Sequence, residues 1–181
     1  MKRHPHFLWK DIFKNRSREK VPMAEILKEN ILFQTLDRRE LKYLAGLVYE
    51  RTYQPDEPIF HQNERGFGMY VIAKGGVSIK SMSGPEELLV TQLGPGSFFG
   101  EMALIDPNNL RSASAYASER TVLVGFFKPD LLDIIERKPD MGSKILFQLA
   151  TVISERLMKT TEKMTLINQA KGVNQNYEEV V

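Results

Sequence analysis

Apolar residues along this chain change their spacing twice. Up to about residue 47 they recur at helical intervals. Phe7, Leu8, Trp9, Ile12 and Phe13 form an apolar knot in an otherwise polar start, and Leu8, Trp9, Ile12 and Phe13 can share one helical face. Val21-Pro22 opens a helix with Met23, Ile26, Leu27 and Ile31 on one side, since proline is tolerated in a first turn. Asp37-Arg38-Arg39-Glu40 has the form of a capping box with Asp in place of Ser or Thr, and predicts a short helix carrying Leu41, Leu44 and Ala45. From about residue 48 the period falls to two. VYERTY, PIFHQ, GMYVIAKG, VSIKSM and ELLVTQL are short and rich in β-branched and aromatic residues. Turn chemistry separates them: Pro55-Asp56, Gly75-Gly76, Ser83-Gly84-Pro85 and Gly94-Pro95-Gly96. SASAYAS and TVLVGFF add two strands after residue 111. The pattern predicts an α+β, mainly β domain: a sandwich or jelly-roll barrel with helices before it and a long helix after it.

Helical spacing returns with LLDIIER, and Pro139 stands near the start of a much longer helix. Within it Leu146, Ala150, Ile153, Leu157, Thr160, Met164 and Ile167 alternate steps of four and three, a heptad seam. A second stripe, Ile145, Leu149 and Val152, lies beside the first and ends at Arg156. One stripe is expected to pack on the barrel and the other on a partner helix, giving a homodimer through residues 146–167. The expected organisation is a basic arm at 1–20, the barrel with its flanking helices at 21–138, a closing and dimerisation helix at 139–167, and a disordered polar tail at 168–181.

Composition narrows the chemistry. A length of 181 residues favours one domain with appendages. Cysteine is absent, which excludes disulfides, thiolate catalysis and cysteine-ligated zinc. No apolar run approaches the roughly 18–20 residues of a membrane span, and the basic start has no continuous apolar stretch of the secretory kind. A cytoplasmic location is expected. Residues 1–20 hold seven Lys or Arg against Asp11 and Glu19, while the whole chain has a net charge of only +2. The body is therefore slightly acidic, which argues against a broad nucleic-acid surface there. His4, His6 and His61 are isolated, so no metal site is expected. No nucleophile–base pair is apparent, and the chain does not read as an enzyme.

The informative stretch is FFGEMALIDPNNLRSASA, residues 98–115. A short helical turn starting near Gly100 offers free backbone N–H groups to an anion. Arg111 adds a permanently charged fork that meets phosphate oxygens in pairs. Gly100, Ala103, Ser112 and Ala113 let the main chain come close to a ligand. Glu101 would repel phosphate, but a carboxylate is a strong acceptor for a ribose 2′-OH. One site reading a phosphate and a free 2′-OH fits a 3′,5′-cyclic nucleotide, whose single charge requires no metal and no further cofactor.

Phe99-Gly100-Glu101-Met102-Ala103 followed by Arg111-Ser112-Ala113 resembles the phosphate-binding cassette of the cyclic nucleotide-binding domain family. The resemblance covers roughly residues 31–167. It implies that Glu101 binds the ribose, that Arg111 binds the cyclic phosphate, and that Gly100, Met102, Ala103, Ser112 and Ala113 supply backbone or hydroxyl contacts. In the long helix, Arg156-Leu157-Met158-Lys159-Thr160-Thr161 resembles the segment of cAMP receptor proteins whose two adjacent hydroxyl residues meet the adenine, which implies that role for Thr160 and Thr161. The chain departs from the family pattern at Pro55-Asp56-Glu57, Gln62-Asn63-Glu64 and Gly66-Phe67-Gly68, where expected glycines and an acidic residue are replaced. No DNA-binding helix-turn-helix is expected in the residues after Ile167, so DNA is not an expected partner. The expected function is a sensor of cAMP, or less readily cGMP, that signals through an effector protein the sequence does not name. The competing readings are an interaction scaffold of the same fold that binds no ligand, a structural salt bridge between Glu101 and Arg111, and a DNA-binding regulator.

Overall fold

The alternating middle of the chain forms two antiparallel sheets. The structure is a computed structural model and describes residues 23–83, 86–108 and 110–178. The basic arm, the expected helix start at Val21-Pro22 and the end of the tail lie outside the described residues. One sheet has the strand order β1 (Tyr49–Tyr53), β8 (Thr121–Phe127), β3 (Gly68–Lys74), β6 (Phe98–Phe99). The other runs β2 (Pro58–Phe60), β7 (Ser114–Ala117), β4 (Val77–Ser83), β5 (Glu86–Leu93). Every strand pair is antiparallel. This is a jelly-roll-like sandwich. The expected barrel is not closed, because no ladder among the described residues joins the edge strands of one sheet to those of the other. β6 is also a strand that the sequence pattern had not shown; two residues are too few to display a period.

Strict alternation sorts the first sheet into two faces. Met69, Val71, Phe98, Val124 and Phe126 point outward into a cluster with Leu27, Phe33, Leu131, Ile134, Ile145 and Leu149. Tyr70, Ile72, Phe99 and Leu123 point inward, toward Val77, Ala115 and Ala117 of the second sheet. Helices α1 (Met23–Glu29), α2 (Arg38–Ala45), α4 (Lys128–Arg137) and α5 (Pro139–Glu178) supply the outer layer, and α3 (Met102–Ile105) is a single turn after β6.

The capping box expected at α2 is present. Asp37 accepts from the backbone N–H of Arg39 and Glu40 at 2.7 and 2.9 Å, and the Asp37 N–H donates to Glu40 Oε2 at 2.7 Å. These two amide bonds hold the Asp37 carboxyl below its ordinary value of 3.8. Glu40 also accepts from Lys144 Nζ at 2.9 Å, which ties α2 to α5. Fully buried Asn30 donates from Nδ2 to Gly96 O at 2.9 Å, joining the helical layer to the turn that leads into β6.

The two departures from family glycines sit where a left-handed backbone is needed. Asp56 has φ 61° and Asn63 has φ 67°, in line with the tolerance of these residue types for that region. Each turn closes in the same way: Gln54 N–H donates to Glu57 and His61 N–H donates to Glu64, at 2.8 and 2.9 Å.

In α5 the stripe Ile145, Leu149 and Val152 is buried in the outer cluster, as its spacing implied. Beyond Arg156 the helix leaves the domain, and Leu157, Met164 and Ile167 are all more than half exposed. The helix does not stop at Ile167; it continues through Asn168 to Glu178.

Candidate functional site

The site is built where β6 ends. Gly100 takes φ 75°, a conformation open to glycine at no steric cost, and turns the chain into α3. The amides of Ala103 and Leu104 close the turn on Gly100 O and Glu101 O at 3.2 and 3.0 Å. Those of Glu101 and Met102 meet no acceptor among the described residues. A four-residue helix has little dipole, so its offer to an anion is these N–H groups rather than a macrodipole.

Arg111 is held from both ends. Its backbone N–H donates to Glu64 O at 2.9 Å, and its carbonyl accepts from Asn63 N–H at 2.8 Å. The guanidinium is buried, with 6% of the residue exposed. It lies over the Phe60 ring at 4.0 Å and donates from Nη1 to Gly100 O at 2.9 Å. Two glycines make its slot: a Cβ on Gly66 would come within 2.4 Å of the guanidinium carbon, and one on Gly100 within 2.5 Å of Nη1. Nε is buried and has no hydrogen-bond partner among the described residues. Burial lowers the pKa of Arg111 from its ordinary value, while Tyr70, Glu101 and Glu64 act in the opposite direction. A guanidinium nevertheless remains charged at neutral pH. A buried, half-satisfied cation is a poor stabiliser of a fold and a good receptor for an anion.

Glu101 does not pair with Arg111, so a salt bridge between them is not what buries the two groups. The Glu101 carboxylate, 7% exposed, accepts from Arg156 Nη1 of α5 at 2.6 Å through Oε1. Arg156 also donates from Nη2 to Phe98 O at 3.2 Å and covers the Phe98 ring at 4.7 Å. Oε2 has no such bond among the described residues.

Seven of the nine expected site residues belong to this one loop: Gly100, Glu101, Met102, Ala103, Arg111, Ser112 and Ala113. Ala103 is buried, while Met102 and Ser112 are exposed. Thr160 and Thr161 are exposed on α5 and donate to the carbonyls of Arg156 and Leu157, at 2.8 and 3.0 Å. Among the described residues no hydrogen bond joins either of them to the cassette. Sequence reasoning missed Phe60, Gly66 and the contact made by Arg156. For Arg156 a signal existed, because continuing the stripe 145, 149, 152 by four lands on 156 and faces it toward the domain.

Of the nine, only Arg111 also lines a cavity of about 580 Å³ between the inner faces of β1 and β8, β2 and the connection from Glu64 to Phe67. No group of three or more metal-ligating side chains occurs among the described residues, and no helix among them is long and apolar enough to cross a membrane.

The profile of the cyclic nucleotide-binding domain matches residues 50–138, ending just before α5. The cyclic AMP receptor protein of Thermus thermophilus is 33% identical over 149 residues, covering 82% of this chain and 67% of that one. This chain belongs to the cyclic nucleotide-binding domain family. The type II regulatory subunit of cAMP-dependent protein kinase from Drosophila melanogaster is 31% identical over 64% of this chain and 30% of its own length. Among solved structures, the Thermus thermophilus catabolite activator protein superposes with a TM-score of 0.69 at 34% identity, covering 77% of this chain and 63% of that one. The N-terminal domain of a transcriptional regulator from Streptomyces coelicolor superposes at 0.65 with 28% identity, over 77% and 94% of the two chains. The chain thus spans about two thirds of the receptor-type relative and less than a third of the kinase subunit.

Proposed function

We propose that this chain is a regulatory module that binds a 3′,5′-cyclic nucleotide, cAMP in preference to cGMP, and hands the signal to a partner protein without catalysing a reaction. The observation that carries the reading is Arg111: a buried guanidinium in a slot made by two glycines, with Nε unmet and the free amides of Glu101 and Met102 in the same loop. A phosphodiester with one negative charge satisfies such a group. Glu101 takes the ribose 2′-OH through Oε2 while Oε1 stays on Arg156. The preference for adenine rests on the names of the two curated relatives, a cyclic AMP receptor and a subunit of a cAMP-dependent kinase.

The exposed half of α5 supports pairing with a second copy. Leu157, Met164 and Ile167 continue the heptad seam beyond the surface that buries Ile145 and Leu149. In that pair Thr160 and Thr161 would turn from their own helix carbonyls to the base. Arg156 gives the ligand a grip on this helix, because whatever moves Glu101 shifts the balance of α5 positions.

One observation favours the ligand-free scaffold instead: Glu101 already has a cationic partner. Calorimetric titration of the full chain with cAMP, cGMP, 2′-deoxy-cAMP and 5′-AMP decides between them. The expected order has cAMP tightest, with 2′-deoxy-cAMP weaker by about tenfold or more, the size of one hydrogen bond to a charged acceptor. No heat with either cyclic nucleotide leaves the scaffold.

A further inference from the structure

Of the residues assigned to the nucleotide, Arg111 alone lines the cavity. Phe60 and Tyr70 face it, and Phe99 stacks behind them, with ring centroids 5.6 Å from Tyr70 and 5.8 Å from Phe60. The cavity volume of about 580 Å³ lies within the range of small-molecule sites. Gly125 is the reason for the space. It sits in one row of the sheet between Tyr49 and Tyr70, and a Cβ there would already touch the Phe127 ring at 3.1 Å and Tyr70 at 3.5 Å. Any longer side chain would occupy the cavity.

Phenol and guanidinium donors stand on its wall beside the carboxylates of Glu64 and Asp130. No acceptor among the described residues takes the hydroxyl of Tyr53 or Tyr70, and Tyr53 is only 2% exposed. Burial pushes Tyr53 up to about 12 and raises Tyr70, so both phenols are protonated at neutral pH. Arg111 contributes the buried cation with its unmet Nε. Arg51 and Arg65 also line the cavity but are exposed, and Arg51 is paired with Glu57 at 2.8 Å, so Arg111 is its buried cation. Aromatic walls with inward donors suit a flat apolar body that ends in one weakly hydrated anion.

We propose that this cavity is a second ligand site, selective for a small aromatic carboxylic acid, and that the acid and the cyclic nucleotide oppose each other through Arg111. The first half stands on the cavity alone; the opposition rests on the function proposed above. Two anions drawing on one buried guanidinium repel each other across it, and linkage makes the effect reciprocal.

The test uses the full chain and 2-naphthoate, with uncharged 2-naphthamide as its isostere, followed by calorimetry. Naphthoate should bind, and the amide should bind at least about tenfold more weakly. Gly125→Val should weaken naphthoate by about tenfold or more while cAMP affinity stays within about twofold. Tyr53→Phe removes a donor without filling space and should weaken naphthoate by about tenfold, which guards against a Gly125→Val chain that does not fold. Saturating cAMP should raise the Kd of naphthoate by the same factor that naphthoate raises that of cAMP. Absence of naphthoate binding overturns the proposal, as does equal binding by the parent, folded Gly125→Val and Tyr53→Phe chains. Naphthoate that competes with cAMP equally well in Gly125→Val lies in the cassette, and the second site falls. If naphthoate binds as described and no cyclic nucleotide does, the cavity stands and the nucleotide reading fails.

Discussion

The two faces of the sheet β1-β8-β3-β6 are made of alternate residues of the same strands, yet they are packed to different ends. Met69, Val71, Val124 and Phe126 on the outer face meet buried apolar side chains of the helical layer, with Phe33 edge-on to Phe126 at 5.8 Å. Tyr70, Phe99, Leu123 and Gly125 on the inner face meet alanines, a buried arginine and open volume. Apolar burial without polar groups stabilises most per unit area. The helical side therefore supplies the cohesion that lets the inner side hold a half-satisfied cation. Stability and recognition are separated by a single residue step along each strand.

That separation gives a graded set of outcomes. Phe126→Ala should cost about 3–5 kcal/mol of folding stability in urea, because the helical layer cannot collapse onto the gap. The nucleotide affinity of the folded fraction should be unchanged, and a parallel collapse of both would show that the faces are not separable. Arg111→Ala should reverse the balance. Truncating one member of a buried, hydrogen-bonded charge pair removes roughly 2–5 kcal/mol of binding, on the order of thirty- to several-thousand-fold by calorimetry. The same change should move the urea midpoint little, since it also removes a desolvated charge. Unchanged affinity with a lower midpoint would return Arg111 to a structural role.

Arg156→Ala tests the link between the faces. It leaves the buried Glu101 carboxylate without its cation, but Arg156 itself is 45% exposed, so solvent screens the pair and the loss of stability should be only about 1–2 kcal/mol. Arg156→Lys should recover part of it, as one ammonium can meet Glu101 but not Phe98 O in the same geometry. An Arg156→Ala chain as stable as the parent would mean that Glu101 is hydrated in solution.

The smallest expected effect lies in the outer layer alone. The Asp37 carboxyl is lowered in the folded state, so its contribution is present above its ordinary value of 3.8 and is lost as pH falls through the lowered one. Asp37→Asn keeps a capping acceptor and removes the titration. Thermal melts should coincide with the parent near neutral pH and fall less steeply below about pH 4. Nucleotide affinity at neutral pH should be the same in both chains.

What could be read from the sequence was local. Asp37 and Glu40 are three residues apart, and the capping box follows from that spacing alone. Gly100, Glu101 and Arg111 share one loop, so their types announced a charged pocket. Phe60 and Gly66 became part of it only because Asn63 and Glu64 bond the backbone of Arg111, a pairing between segments almost fifty residues apart that no period reveals. The barrel was overread for a related reason: alternation identifies strands but is silent on whether edge strands meet. Arg156 stood at the end of a buried stripe, where spacing fixed its direction but nothing in it named Glu101 as the group it would touch.

The bond from Arg156 to Glu101 also has a mechanical meaning. It grips α5 at the point where the helix leaves the domain, and the helix then continues from Arg156 to Glu178. At 1.5 Å per residue that projecting length is roughly 33 Å. It is a lever with its fulcrum beside the pocket: a tilt of about 10° at the fulcrum carries the far end roughly 6 Å, about the pitch of one helical turn. A rearrangement too small to disturb the packing of the sandwich would thereby become, at the tip, a displacement of that size.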